Sequence, residues 1–479
     1  MNRQIGRVFG LVVLLFALLV GATSIWTVFD ASSLRANPAN RRPELYDARI
    51  PRGVIFAADG TKLATNRQIG SGEGKRYVRQ YPTGSLFGHA VGYSFISRGS
   101  AGLEKQYNDF LSGNTTDLRS FIDALGGGGQ EGNDVYTTLD PKAQRVALDA
   151  LGGRPGSIVA LDPQTGAVKV MASIPDFDAN QIPNNYGQLN GDSSSPLLNR
   201  ATQARYAPGS TFKVVTAAAA LDSGRYTPDS VIDGSDNKII SGVPLHNFNG
   251  ESPGPISLTN ALTQSVNTVF AQIGVALGKP TMFKYMRRFG FNANPALDYP
   301  SAQMTPSGEF LKGRLLTENS PEVDVGRMAI GQDKLAVTPL QMAEVAAAVG
   351  NRGVLMKPRF VDRVVAPDGR VRNTFPASPQ ATVMSSDAAG QLAQMMTNVV
   401  QSGTGTGAAL SGVQVAGKTG TAQVPGGLTQ AWFIAFAPVN KPRVAVAVTI
   451  EKTDQSLTGG EVAAPLAKQV IQQLLGSNG

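Results

Sequence analysis

A chain of 479 residues exceeds one ordinary domain, so two domains, or one large domain with an appendage, are expected. Apolar residues at 42% and charged residues at 16% give it a large core and exclude long disordered stretches. The 43 Lys and Arg against 35 Asp and Glu leave +8, which suits anionic surroundings such as a lipid headgroup layer; the basic residues are scattered, without the runs or aromatic interleaving of an RNA binder, so nucleic acid is not the expected partner.

There is no cysteine, which excludes disulfides and thiolate metal sites. His89 and His246, the two histidines, have no acidic cluster at ligand spacing, so neither a metal nor another cofactor is expected and both read as structural or surface residues.

Residues 8–29 carry no charge and follow Arg3 and Arg7, the pattern of a membrane span whose basic end, 1–7, stays in the cytoplasm. A cleaved signal peptide would have a shorter apolar part followed by a small-x-small site, so an uncleaved anchor is expected. Residues 30–52 read as a polar stalk, and short apolar runs from Gly53 to Leu125 alternate with Gly-rich turns, a small domain of short strands; Gly126 to Gly129 mark a break. With the stalk this N-terminal domain is placed at 30–150.

The larger domain is placed at 151–479. It opens with strands at 157–161 and 167–173 around Asp162-Pro-Gln-Thr-Gly166, continues with helices at 210–222, 257–278 with an interruption, and 339–348, and closes with strands at 413–422, 431–436 and 443–450 and a helix at 463–475. Strands that bracket helices predict an α+β fold, an antiparallel sheet flanked by helices, beside a smaller N-terminal domain and a transmembrane helix. Gly74-Lys75 lacks the spacing of a phosphate loop, and Gly403-Thr-Gly-Thr-Gly407 lacks that of a dinucleotide fingerprint and reads as a loop.

Ser210 follows Tyr206-Ala-Pro-Gly209 and opens an apolar helix, so its own N–H lacks an intrahelical partner and can face a developing oxyanion. Lys213, three residues on, shares its face. To take the serine proton the lysine must be neutral, and lowering its pKa from about 10.4 to about 7 costs roughly 4–5 kcal/mol, which burial and a second cation supply. Ser-x-x-Lys alone is a weak signal: Ser235 to Lys238 repeats it in a stretch whose turn and β-branched residues oppose a helix.

Lys418-Thr419-Gly420-Thr421 falls in an expected strand and occurs once. On an edge strand Thr421 offers a backbone N–H to an oxyanion, the hydroxyls of Thr419 or Thr421 hold a carboxylate, and Lys418 adds positive charge. Ser-x-Asn occurs at Ser112 to Asn114, Ser235 to Asn237 and Ser265 to Asn267; the third, in the break of a helical stretch after the nucleophile, is chosen.

In this order the motifs resemble the penicillin-binding proteins and serine β-lactamases. Arg52-Gly-Val-Ile55 with Asp59-Gly60, Gly102-Leu-Glu104 through Tyr107, Thr138-Leu-Asp140, and Gly331-Gln332 ahead of Thr338-Pro339 extend the resemblance over nearly the whole chain. It is similar to class B members, with no room for a polymerase module.

The resemblance implies a serine D,D-transpeptidase of cell-wall synthesis, serving division or elongation. Ser210 takes the acyl group of a D-Ala-D-Ala stem peptide and is acylated by β-lactams. Lys213 is then the base, Ser265 a proton relay, Asn267 a binder of the substrate amide, and Lys418 to Thr421 the carboxylate and oxyanion site. It also implies a single-pass cell-membrane protein with an extracytoplasmic catalytic domain, partnered by a membrane glycan polymerase. A D,D-carboxypeptidase or β-lactamase shares the motifs and differs in admitting water; a non-catalytic scaffold or β-lactam sensor is the rival from another class.

Overall fold

The computed structural model describes residues 2–26, 49–113, 131–424 and 426–476. Helix α1 (Asn2–Ser24) starts ahead of the expected span, and its Gln4–Ser24 part is long and apolar enough to cross a membrane. Its 23 residues reach about 35 Å at about 1.5 Å each, against about 30 Å of hydrocarbon. Residues 27–29 of the expected span, most of the stalk and Gly126 to Gly129 lie outside the described residues.

Strands β1 (Ile55–Phe56), β2 (Lys62–Ile69) and β3 (Arg76–Gln80) lie in the stretch read as short strands, and β4 (Asp134–Thr137) follows beyond it. The turn from β1 to β2 is fixed by Asp59, whose carboxylate accepts the Thr61 N–H at 2.9 Å, and by Gly60 at φ +85°. Glu104, fully buried, receives Arg79 Nε at 2.5 Å and Arg52 Nη2 at 3.1 Å. Burial alone would raise this carboxyl's pKa, but the two guanidiniums outweigh it and hold the group below its ordinary range.

Helix α2 (Pro141–Leu151) begins where the Asp140 carboxylate accepts the N–H groups of Lys142 and Ala143, and stops at left-handed Gly152. Then come β5 (Gly156–Leu161) and β6 (Val168–Ile174), α3 (Lys213–Asp222), α4 (Leu258–Thr263), α5 (Asn267–Arg288) and α6 (Pro339–Gly350). Strands β7 (Val361–Val365) and β8 (Val371–Thr374) return to the small sheet, whose order is β8-β7-β4-β1-β2-β3. Its β1–β4 pair is parallel.

After α7 (Ser386–Ser402), strands β9 (Ala416–Val424), β10 (Leu428–Ala437) and β11 (Val444–Asp454) join β5 and β6, and α8 (Ala464–Gly476) follows. The order β9-β10-β11-β5-β6 is antiparallel throughout, so early and late strands meet as expected and β9 is an edge. Side chains alternate between two cores. Ile158, Phe433 and Val446 pack with α2 and α8, whereas Val159, Trp432 and Ile434 pack with α3 and α6. Because both faces are covered, β5 and the central runs of β10 and β11 are almost continuously apolar.

Candidate active site

The turn that carries Ser210 is held from three sides. Tyr206 exchanges backbone hydrogen bonds with Val337 at 2.9 and 2.8 Å, the Gly209 N–H donates to Gly331 O at 3.0 Å, and Trp432 Nε1 donates to Ala207 O at 3.0 Å. The Tyr206 hydroxyl donates to Glu451 Oε1 at 2.6 Å, and Arg200 Nε reaches the same oxygen at 2.8 Å. Gly209 to Phe212 form a 3₁₀ turn ahead of α3, so the first turn is tighter than the α-helix expected from residue 210. In 3₁₀ geometry residues i and i+3 eclipse, which brings Lys213 onto the Ser210 side more directly than an α-turn would.

Lys213 is fully buried. Its Nζ lies 2.6 Å from Ser265 O, 2.7 Å from Asn267 Oδ1 and 3.2 Å from Ser265 Oγ. Burial, and then the neighbouring charge of Lys418, push its pKa well below the ordinary lysine value. As a neutral amine it has two protons, enough for Ser265 O and Asn267 Oδ1, and one lone pair left for a hydroxyl proton.

Ser265 sits in the break between α4 and α5, where the Val266 N–H closes onto Ala261 O. With φ +61° it occupies the left-handed position that glycine usually takes after a helix, at a cost of about 1–3 kcal/mol. Its Oγ also receives Lys418 Nζ at 2.9 Å, so one hydroxyl lies between two buried amines. Burial pushes Lys418 down to about 7. Asn267 Nδ2 donates to His246 O at 3.0 Å, which fixes which end of the amide faces Lys213.

Strand β9 brings up the third side. A Cβ on Gly420 would lie 2.7 Å from Pro208 O, and one on Gly209 2.9 Å from Thr421 O, so the turn and the strand touch only because both residues are glycine. The Thr421 carbonyl therefore points outward from the edge, and its N–H, on the same side of an antiparallel strand, points outward with it. Thr419 and Thr421 share the strand's other orientation; Thr421 Oγ1 accepts the Gly459 N–H at 3.1 Å and Thr419 Oγ1 meets Thr404 Oγ1 at 2.6 Å.

The structure thus gathers Ser210, Lys213, Ser265, Asn267, Lys418, Thr419, Gly420 and Thr421 into one site. It leaves out the second Ser-x-x-Lys, where Ser235 and Lys238 both bind the exposed Asp233. Ser112 is buried at the C-terminal end of the Asn108–Leu111 helix, and Asn114 lies outside the described residues. His89 is buried with Nε2 2.8 Å from Pro196 O, and exposed His246 faces Asp236. Sequence reasoning missed Thr404, Glu451 and Arg200; the glycines flanking Thr404 were the one available signal.

Chemically, a serine at the start of a helical turn, with a buried amine three residues on and a hydroxyl held between that amine and a second one, is an arrangement able to support acyl transfer through the serine. Residues 156–472 match the penicillin-binding protein transpeptidase domain, and residues 52–135 match the penicillin-binding protein A dimerisation domain. The chain belongs to the penicillin-binding protein transpeptidase family. It is 35% identical to the peptidoglycan D,D-transpeptidase PbpA of Mycolicibacterium smegmatis over 99% of both chains. Penicillin-binding protein A from M. tuberculosis, solved as a ceftriaxone acyl-enzyme complex, superposes with a TM-score of 0.80 at 32% identity, covering 90% of this chain and 100% of that one. The D,D-transpeptidase domain of a peptidoglycan glycosyltransferase from Eggerthella lenta gives 0.78 at 34% identity, with coverage of 90% and 100%.

Proposed function

We propose that the chain is a membrane-anchored peptidoglycan D,D-transpeptidase that cross-links stem peptides through an acyl ester on Ser210. The observation that carries this reading is the Ser265 hydroxyl held between Lys213 and Lys418 beside the turn of Ser210. Ser210 Oγ attacks the penultimate D-Ala carbonyl of the donor stem and gives its proton to the lone pair of Lys213. The oxyanion is held by the N–H groups of Ser210 and Thr421. Collapse breaks the D-Ala–D-Ala amide; the leaving amine takes a proton passed from Lys213 through Ser265, and the terminal D-Ala departs.

An amine on a neighbouring stem then attacks the ester, loses its proton along the same path and restores Ser210. Asn267 orients the donor's amide, while Lys418, Thr419 and Thr421 hold its terminal carboxylate. A β-lactam carries a carboxylate and a strained amide in the same relation, so it acylates the same serine. Residues 8–29 anchor the chain in the cell membrane, with 30–150 as the stalk and N-terminal domain and 151–479 as the catalytic domain outside. A membrane glycan polymerase of the division or elongation machinery, which supplies uncross-linked strands, is the partner this placement suits.

Product analysis tests the reaction. The full chain in detergent, given a stem-pentapeptide donor and a D-amino acid, is expected to release D-Ala and form exchanged peptide. Free stem tetrapeptide as the sole product would instead identify a carboxypeptidase.

A further inference from the structure

The glycine-rich stretch 403–407 is wedged into the site. The Gly405 N–H donates to Val399 O at 2.9 Å, and a Cβ on Gly403 would meet Thr263 O at 2.5 Å, two residues ahead of Ser265. A Cβ on Gly460 would strike Thr404 O. The glycines let the loop pass between the end of α4 and the 459–460 turn, and this delivers the Thr404 hydroxyl to Thr419.

The two threonines of β9 compare instructively. Thr421 Oγ1 accepts a backbone N–H, a donor that cannot reverse, so its own proton is left to donate. Thr419 has no backbone donor; its Oγ1 has Thr404 as its hydrogen-bond partner among the described residues. A carboxylate only accepts, so Thr419 must donate to it, and Thr404 must then donate to Thr419. We infer that Thr404 is a positioning residue for the carboxylate site: its hydroxyl donates to Thr419 and so aims the Thr419 proton into the cleft, selecting acyl donors that end in a free carboxylate. A chain of two hydroxyls ending on an anion is polarised along its length, which strengthens the last bond.

This rests on the reading of Lys418 to Thr421 as the carboxylate site, so the experiment separates the two. Second-order acylation constants of the full chain in detergent are measured with penicillin G and with its methyl ester, for wild type, Thr404→Val, Thr404→Ser and Thr419→Val. Thr404→Val, which keeps the shape and removes the hydroxyl, is expected to lose about tenfold toward penicillin G and less than about twofold toward the ester. Thr404→Ser restores most of the loss. Equal losses toward both compounds, no loss toward penicillin G, or a Ser variant as poor as the Val variant overturns the inference. If Thr419→Val shows no greater loss toward penicillin G than toward the ester, the carboxylate reading itself fails; if it does and Thr404→Val does not, only the role of Thr404 falls.

Discussion

Two lysines within reach of one serine hydroxyl set the chemistry at the scale of single residues. Both amines are buried, and both titrate below the ordinary lysine range, so the folded chain binds fewer protons there than the unfolded one. The contribution of Lys418 to stability therefore rises with pH from about 7 to about 10.5 and is least favourable below that window, and that of Lys213 likewise rises with pH from its lowered value up to the ordinary lysine value. In the proposed mechanism the same groups define the activity. Lys213 must keep its lone pair, which acid removes, and Lys418 in the free enzyme loses its charge above about 7. The acylation constant with penicillin G is expected to be bell-shaped, with an alkaline limb starting near 7. Lys418→Arg, whose guanidinium does not titrate, is expected to flatten that limb. A limb unchanged in this variant would assign it elsewhere.

At the scale of elements, the 3₁₀ turn is clamped to the sheet by groups from the far end of the chain. Tyr206→Phe removes only the O–H that reaches Glu451 and leaves the Arg200–Glu451 pair in place. Penicillin acylation is expected to slow by roughly five- to tenfold while circular dichroism stays that of wild type; an unchanged rate would show that the turn holds without the clamp. What was legible here was local. Pro208-Gly209 announced the turn, the apolar run after Lys213 announced α3, and the break before Asn267 announced the place of Ser265. The 3₁₀ geometry of the first turn was not legible, because it depends on close contacts of Gly209 with Gly331 and Thr421. Thr404 and Glu451 were hidden for a related reason: each meets its partner across the fold, and neither carries a motif that points there.

At the scale of the whole molecule, the sheets do not divide the chain at one point. Strands β7 and β8, late in the sequence, complete the small sheet, and Tyr107 donates to Asp298 Oδ2 at 2.7 Å while that carboxylate also accepts the N–H groups of Phe360 and Val361. Short strands with exposed residues such as Val371 carry little pattern, so the pairing of β8 with β7, and of β7 with β4 over more than two hundred residues, was not readable. The five-stranded sheet was readable, since its strands are long, apolar and bounded by turns. Glu104→Ala would leave Arg52 and Arg79 buried without their carboxylate, at a cost of about 3–5 kcal/mol. Hydrogen exchange is expected to lose protection across residues 52–113 and 131–135, and wild-type protection there would be the contrary result. Since the Glu104 pKa is lowered on folding, its stabilisation is present above about 4.3 and is lost as pH falls through the lowered value.

Intact-mass analysis of the full chain in detergent after exposure to penicillin G, beside Ser210→Ala, tests the central claim most directly. A stable adduct of one penicillin is expected on the wild type and none on the variant. No adduct on the folded wild type without penicillin hydrolysis, or an adduct that survives Ser210→Ala, would contradict it.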